Sequence, residues 1–325
     1  MNLDLLFDNL TNPALLFFVL GIIAVRLKSD LEIPPNSSKF ISLYLLFSIG
    51  FNGGRELAHS EMNAEIVWAM LFGIIAASII PIYTFYILKR RLSIENSGAI
   101  AASYGSISAV TFVTAVMFLE ALQIEYSGYM VAVMALMEAP AIIVGVILIR
   151  LYSKPNLASP NISIGSVVKH SLTNGSVILI LGSLVIGVLA SDKQSVGIEP
   201  FTTDLFKGFL AIFLLDMGIV SGRKLFDFLK SGWFTTAFAI IIPLINGIVV
   251  ALASGWFTLS VGNRLMFCIL AASASYIAVP AAIKIAVPKA NPGIFIPMAL
   301  AITFPFNVTF GMPIYLWVIN CCNFI

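Results

Sequence analysis

The stretch Ile49-Gly50-Phe51-Asn52-Gly53-Gly54-Arg55-Glu56-Leu57 returns 168 residues later as Met217-Gly218-Ile219-Val220-Ser221-Gly222-Arg223-Lys224-Leu225. Gly50 and Gly218, Gly54 and Gly222, Arg55 and Arg223, and Leu57 and Leu225 all coincide at that one offset. Leu10-Thr11-Asn12 opens the first apolar run and Leu172-Thr173-Asn174 opens the sixth, at offset 162. Ser106-Ile107-Ser108 is answered by Ser273-Ala274-Ser275 at offset 167. Met134-Ala135-Leu136, followed by Pro140, is answered by Met298-Ala299-Leu300, followed by Pro305. Each match alone is weak, but four in the same order at nearly constant offset indicate an internal repeat.

The composition says what kind of chain is repeated. Of 325 residues, 59% are hydrophobic and 10% charged, and the mean hydropathy is +1.01. A soluble domain carries about 25% charged residues, so this chain has too few to cover a water-facing surface. Its apolar residues suffice for about ten membrane spans of roughly 20 residues each. Hydropathy and turn signals place them near 13–27, 39–54, 64–88, 97–120, 127–152, 174–190, 204–221, 233–257, 263–287 and 293–320. The expected fold is therefore all-α and integral to the membrane. It comprises a first repeat over 1–152, a short hydrophilic linker over 153–172 and a second repeat over 173–325. Five helices per repeat is an odd number, so the second copy enters from the opposite side. Inverted repeats of this kind are an architecture of secondary transporters.

Lys and Arg divide unevenly between the connections. Arg26, Lys28, Lys39, Lys89, Arg90, Arg91, Arg150, Lys154, Lys169, Arg223, Lys224, Lys230, Lys284 and Lys289 belong to odd-numbered connections. Only Arg55, Lys193, Lys207 and Arg264 belong to even-numbered ones. The positive-inside rule then puts the odd connections in the cytoplasm and both termini outside. No Lys or Arg precedes Arg26, so the N-terminus has no basic n-region of a signal peptide, and insertion is expected to rely on the spans themselves.

Several classes are disfavoured. A net charge of +2 with no basic run longer than Lys89-Arg90-Arg91 gives no footprint for nucleic acid. Cys268, Cys321 and Cys322 form neither a disulfide framework nor a metal motif, and His59 and His170 sit in different connections. No nucleophile–base constellation is visible, so an enzyme and a bound organic cofactor are not expected.

The transport site is expected where the fourth and ninth segments break. The fourth carries Ser106, Ser108, Ala109, Val110 and Thr111 mid-span; the ninth carries Ser273, Ser275, Tyr276, Val279 and Pro280. Pro280 lacks a donor and clashes one turn back, which predicts a break near 276–279. A helix restarting there exposes amides whose partial positive charge suits an anion. The same small residues also fit close helix packing; their recurrence at matching repeat positions favours the site. Glu138, beside Pro140, fits cation binding, proton carriage or pairing with a hydroxyl. Thr303, Asn307 and Thr309 occupy the related place on the tenth segment, with oxygens able to coordinate a cation, and Na⁺ is a candidate at Glu138, Ser275 and Asn307. Asp216 is a second intramembrane candidate, equally compatible with an interfacial position. Tyr276 fits a gate, a pocket wall or packing, whereas Phe17, Phe18, Trp233, Trp256 and Trp317 read as lipid-facing or belt residues.

These pieces together resemble the sodium-dependent bicarbonate transporter family of cyanobacteria and other bacteria. The resemblance runs through Ser42 to Leu57 with its glycines, Ser108 to Thr111, Ala139-Pro140-Ala141, Ala271-Ala272-Ser273 on to Pro280, and Pro288 to Pro292. It implies a homotrimer in the bacterial inner membrane, each ten-helix protomer divided into gate and core domains. It also implies Na⁺-coupled bicarbonate uptake and a cytoplasmic face that meets a PII-like regulator. The chain departs from the cyanobacterial pattern in having Tyr276 where relatives have an acid, and Glu138 where they have Asp. An H⁺-coupled carrier or exchanger of another small anion, and a non-transporting receptor or scaffold on the same fold, are the other readings of these residues.

Overall fold

The computed structural model of the chain describes residues 13–59, 63–153, 165, 168–169, 172–229 and 232–322. Among them every regular element is helical. Leu10 to Asn12, most of the 153–172 linker with Lys154 and His170, and Lys230 lie outside the described residues. In chain order the helices are α1 (Pro13–Arg26), α2 (Pro35–Ala58), α3 (Ala64–Leu88), α4 (Ile94–Gly105), α5 (Ala109–Ala121), α6 (Tyr129–Tyr152) and α7 (Gly175–Leu189). They continue as the short α8 (Asp192–Val196), then α9 (Phe206–Leu229), α10 (Trp233–Ala253), α11 (Val261–Ala272), α12 (Ala278–Ala286) and α13 (Pro292–Pro297). Two π-turns, Met298–Thr303 and Asn307–Gly311, join α13, α14 (Phe304–Phe306) and α15 (Met312–Cys322) into one rod.

Each of the ten expected segments falls on a helix or on a helix with a short break. Six regions are long and apolar enough to cross a membrane: Ala64–Leu88, Ile94–Ala121, Tyr129–Tyr152, Pro200–Leu225, Trp233–Trp256 and Pro292–Cys322. The remaining expected spans miss that standard for two reasons. Leu15–Arg26, Gly175–Leu189 and Val261–Ala272 are shorter apolar helices. α2 has 24 residues but is diluted by polar ends, from Asn36 to Lys39 and from Asn52 to Glu56. It also begins four residues earlier than hydropathy suggests, because Pro35 at its first position carries a helical φ and needs no donor there.

Two helix pairs organise one side of the molecule: α1 packs along α9, and α2 along α7. Both contacts depend on glycine. A Cβ on Gly218 would stand 2.1 Å from the Phe18 carbonyl oxygen, and one on Gly54 would stand 2.1 Å from that of Leu184. The partners match across the repeat. Gly218 meets Phe18 and Gly21 while Gly50 meets Ile180 and Ser183; Gly222 meets Ile22 and Val25 while Gly54 meets Leu184 and Gly187. The glycines are 168 apart and each of their partners is 162 apart. α1 and α2 thus each pack on a helix from the C-terminal part of the chain. On the other side α3, α4 and α6 pack together, and so do α10, α11 and α15.

Contacts between connections fall into two sets. Ser127 N donates to Asn263 Oδ1 (2.7 Å), Asn263 Nδ2 to the Tyr129 hydroxyl (2.8 Å), and that hydroxyl to Glu65 (2.7 Å). With the Lys207–Glu120 pair (3.1 Å), these join ends at even-numbered connections. Asn291 N to Asn96 Oδ1 (2.8 Å) and Arg223 to Glu32 (3.6 Å) join ends at odd-numbered ones. Trp233, Trp256, Trp317 and Phe17 are exposed, as lipid-facing or belt residues would be. Phe18 is not: it is 2% exposed and packs edge-on against Phe304 at 5.5 Å, because the Gly218 contact draws that face of α1 onto α9.

Candidate functional site

Two helix breaks meet in the interior. α4 stops at Gly105, where a Cβ would stand 2.2 Å from Pro81, and α5 restarts at Ala109. α11 stops at Ala272 and α12 restarts at Ala278, with Pro280 in its first turn, where the missing N–H leaves no hydrogen bond unmade. The residues ending α4 and α11, Ser106 and Ser273, share nearly the same extended backbone, φ −84°, ψ 175° and φ −83°, ψ 170°. The two breaks therefore begin with the same local conformation.

Short hydrogen bonds tie the breaks to each other. Ser275 N donates to the Ser103 carbonyl (2.8 Å), and Ser103 Oγ donates to the Ser275 carbonyl (2.5 Å). Ser108 N donates to Ser273 Oγ (3.0 Å), which itself donates to the Leu270 carbonyl (3.1 Å). Ser108 caps α5 by accepting from Thr111 N (3.2 Å), and Ser275 Oγ accepts from Val279 N (3.4 Å). A hydroxyl that accepts a bond can still donate its proton, and Ser108 also shares a side-chain hydrogen bond with Tyr276. The first amides of a helix have no intrahelical acceptor, which leaves Ala109 and Val110 as donors at the start of α5.

A small cavity of about 20 Å³ opens beside this crossing. Ser108, Ala109, Val110, Glu138, Ser275 and Tyr276 line it, six of the residues singled out by sequence. Glu138 is 7% exposed, and its Oε2 has no hydrogen-bond partner among the described residues. Ser106 Oγ and Thr111 Oγ1 are likewise buried and unpartnered at the α4–α5 break, behind the lining. Ser273, Val279 and Pro280 hold the break together without lining the cavity. Tyr276 is half-buried, its hydroxyl 3.7 Å from Met217 Sδ on α9, so it bridges the broken helix and the glycine-packed pair.

Thr303 and Asn307 are not brought to the cavity. Thr303 Oγ1 donates to the Ala239 carbonyl (2.7 Å) and meets the Tyr104 hydroxyl (2.7 Å). Asn307 Nδ2 donates to the Ala272 carbonyl (2.7 Å), and its Oδ1 accepts from Tyr315 (3.1 Å). Asn246 Nδ2 donates to Ala271 O (3.0 Å). Carboxamides thus satisfy the carbonyls that end α11, and Asn307 does not line the cavity. Thr309 bonds locally to the Pro305 carbonyl (2.7 Å). The expected three-residue Na⁺ set is therefore divided: Glu138 and Ser275 are at the cavity and Asn307 is elsewhere.

Sequence reasoning missed the opposite wall, which comes from Ser42 and Leu46 on α2 and Ser176 on α7. The available signal was their position. Both serines stand within the first three turns of apolar helices that follow odd-numbered connections. Asp216, left open between two readings, is 5% exposed and accepts a hydrogen bond from Ser38, one turn before Ser42.

Long apolar helices around a polar cavity, built where two helices break, make this a multi-pass membrane protein with the design of a transporter. Comparison with known families agrees. The model of the Na⁺-dependent bicarbonate transporter superfamily matches residues 13–320, nearly the whole chain, and the protein belongs to that superfamily. It is thus a transporter and not an enzyme. No curated protein matches the chain.

Proposed function

We propose that the protein takes up bicarbonate with Na⁺ by alternating access, at the cavity between the two helix breaks. The observation that carries this reading is the lining itself. Hydroxyls of Ser108 and Ser275 and the first amides of α5 supply donors for a small oxyanion, while Glu138 supplies a buried anionic oxygen for a cation. A desolvated anion needs several such donors, and a cation beside it offsets the charge of both anion and carboxylate. Glu138 and Ser275 would hold the ion, with the Ser106 and Thr111 oxygens in reserve behind them; Thr303 and Asn307 are scaffold.

Ten spans in two inverted repeats are the architecture this function needs. The exchanged glycine contacts, the matching breaks and the sorting of odd from even connections support it. α1, α2, α7 and α9 would form the gate and the broken-helix bundles the core. With odd connections cytoplasmic, Ser42 and Ser176 lie in the cytoplasmic half, which supports an inward-facing cavity. A homotrimer and a cytoplasmic PII-like partner remain part of the proposal on family grounds. The test is ¹⁴C-bicarbonate uptake into proteoliposomes with and without an inward Na⁺ gradient. Gradient-dependent uptake is expected; uptake driven only by a pH gradient would favour an H⁺-coupled carrier, and none would leave a receptor or scaffold.

A further inference from the structure

We infer that Asp216 is a second cation site of the transport cycle, so that two Na⁺ accompany each anion. The inference deepens the reading of the cavity given above and rests on it. Asp216 stands mid-helix on α9 and is 5% exposed. Among the described residues no Lys, Arg or His lies within 4.0 Å of it; Arg223, seven residues on, acts on it only from beyond that distance and pairs with Glu32 at 3.6 Å. What holds its carboxylate is the Ser38 hydroxyl, which donates to Oδ2. Two routes lead from it to the cavity wall. Ser38 is one turn before the lining residue Ser42, and the adjacent Met217 takes the hydroxyl of the lining residue Tyr276 at 3.7 Å.

Packing does not require an acid here. The position related to Asp216 by the 168-residue offset is Ser48, which is 0% exposed on α2. The glycine contacts around the two positions are the same in kind, so a small neutral residue satisfies the fold. A buried carboxylate with no ion pair within 4.0 Å is costly, and within a membrane such a group is a functional site by default. Charge then sets the stoichiometry. Glu138 on one wall and Asp216 behind the other present two negative charges to an entering monoanion in a low-dielectric space. Like charges repel strongly in such a space, so the anion enters only when both carboxylates are neutralised. One monovalent cation at each leaves a net charge of one positive per anion carried.

The experiment is equilibrium binding of ²²Na⁺ to the purified full-length protein in bicarbonate buffer. Wild type is expected to bind two Na⁺ per protomer, Asp216→Asn one, Glu138→Gln one, and the double variant none. Asn keeps an acceptor for Ser38, and Asp216→Glu, which keeps the charge, should retain two; together they separate ion binding from misfolding. In proteoliposomes, Asp216→Asn should convert electrogenic uptake into electroneutral uptake. One Na⁺ in the wild type, unchanged by Asp216→Asn, overturns this inference and leaves the Glu138 reading standing. No Na⁺ binding together with Na⁺-independent uptake overturns both.

Discussion

Ser108 does two jobs that a pair of substitutions can separate. Its Oγ accepts from Thr111 N at 3.2 Å, capping α5, and it forms part of the cavity wall, hydrogen-bonded to Tyr276. Replacing a serine cap by alanine costs about 1 kcal/mol, whereas glycine costs only a few tenths. A hydroxyl donated to a charged partner is worth about 1.5–3 kcal/mol, or roughly ten- to a hundredfold in affinity. Ser108→Ala should therefore lower thermal stability and raise the apparent KM for bicarbonate. Ser108→Gly should raise KM by a similar roughly ten- to hundredfold factor with stability nearly intact. The assays are initial-rate ¹⁴C-bicarbonate uptake in proteoliposomes and thermal melting of the purified protein. If Ser108→Gly transports with wild-type KM while only Ser108→Ala is impaired, the serine is a cap and nothing more, and the assignment of the substrate to this crossing fails.

Glu138→Gln should fold, since its Oε2 has no partner to lose, yet lose Na⁺ stimulation of uptake; undiminished stimulation would show a structural acid. Gly218→Ala and Gly54→Ala each force a Cβ to 2.1 Å from a backbone oxygen, and overpacking of that kind costs about 1–3 kcal/mol or more. Gly208→Ala, with nothing within 4 Å, should be neutral in the same melting assay; equal tolerance at all three positions would contradict the close helix contacts. Single cysteines at Arg90 and Gln194 should label from opposite sides of the membrane, the first from the cytoplasm. Labelling of both from one side would end the inverted-repeat proposal.

The helical class, the approximate place of every segment and both helix breaks were legible in the chain because each depends on local chemistry. Apolar runs predict helices, Pro280 and the serine clusters predict breaks, and a repeated Gly-x-x-x-Gly-Arg predicts that the two halves use the same contacts. Span lengths were less legible. The polar ends of α2 read as connections, yet Pro35 at one end and a neighbour 150 residues away at the other keep them helical, as when Asn52 Nδ2 donates to Thr202 O (3.2 Å). Partnership was not legible at all. Asn307, Thr303 and Glu138 look alike in sequence, being polar residues mid-span, but only the fold decides which polar groups find each other. It closed Asn307 onto the end of α11, left Glu138 Oε2 without a partner at a cavity, and brought Ser38 to Asp216 across 178 residues of chain. A buried polar group is inert when its bonds are made and poised for a ligand when they are not, and that difference is set by distances between elements that no local pattern encodes.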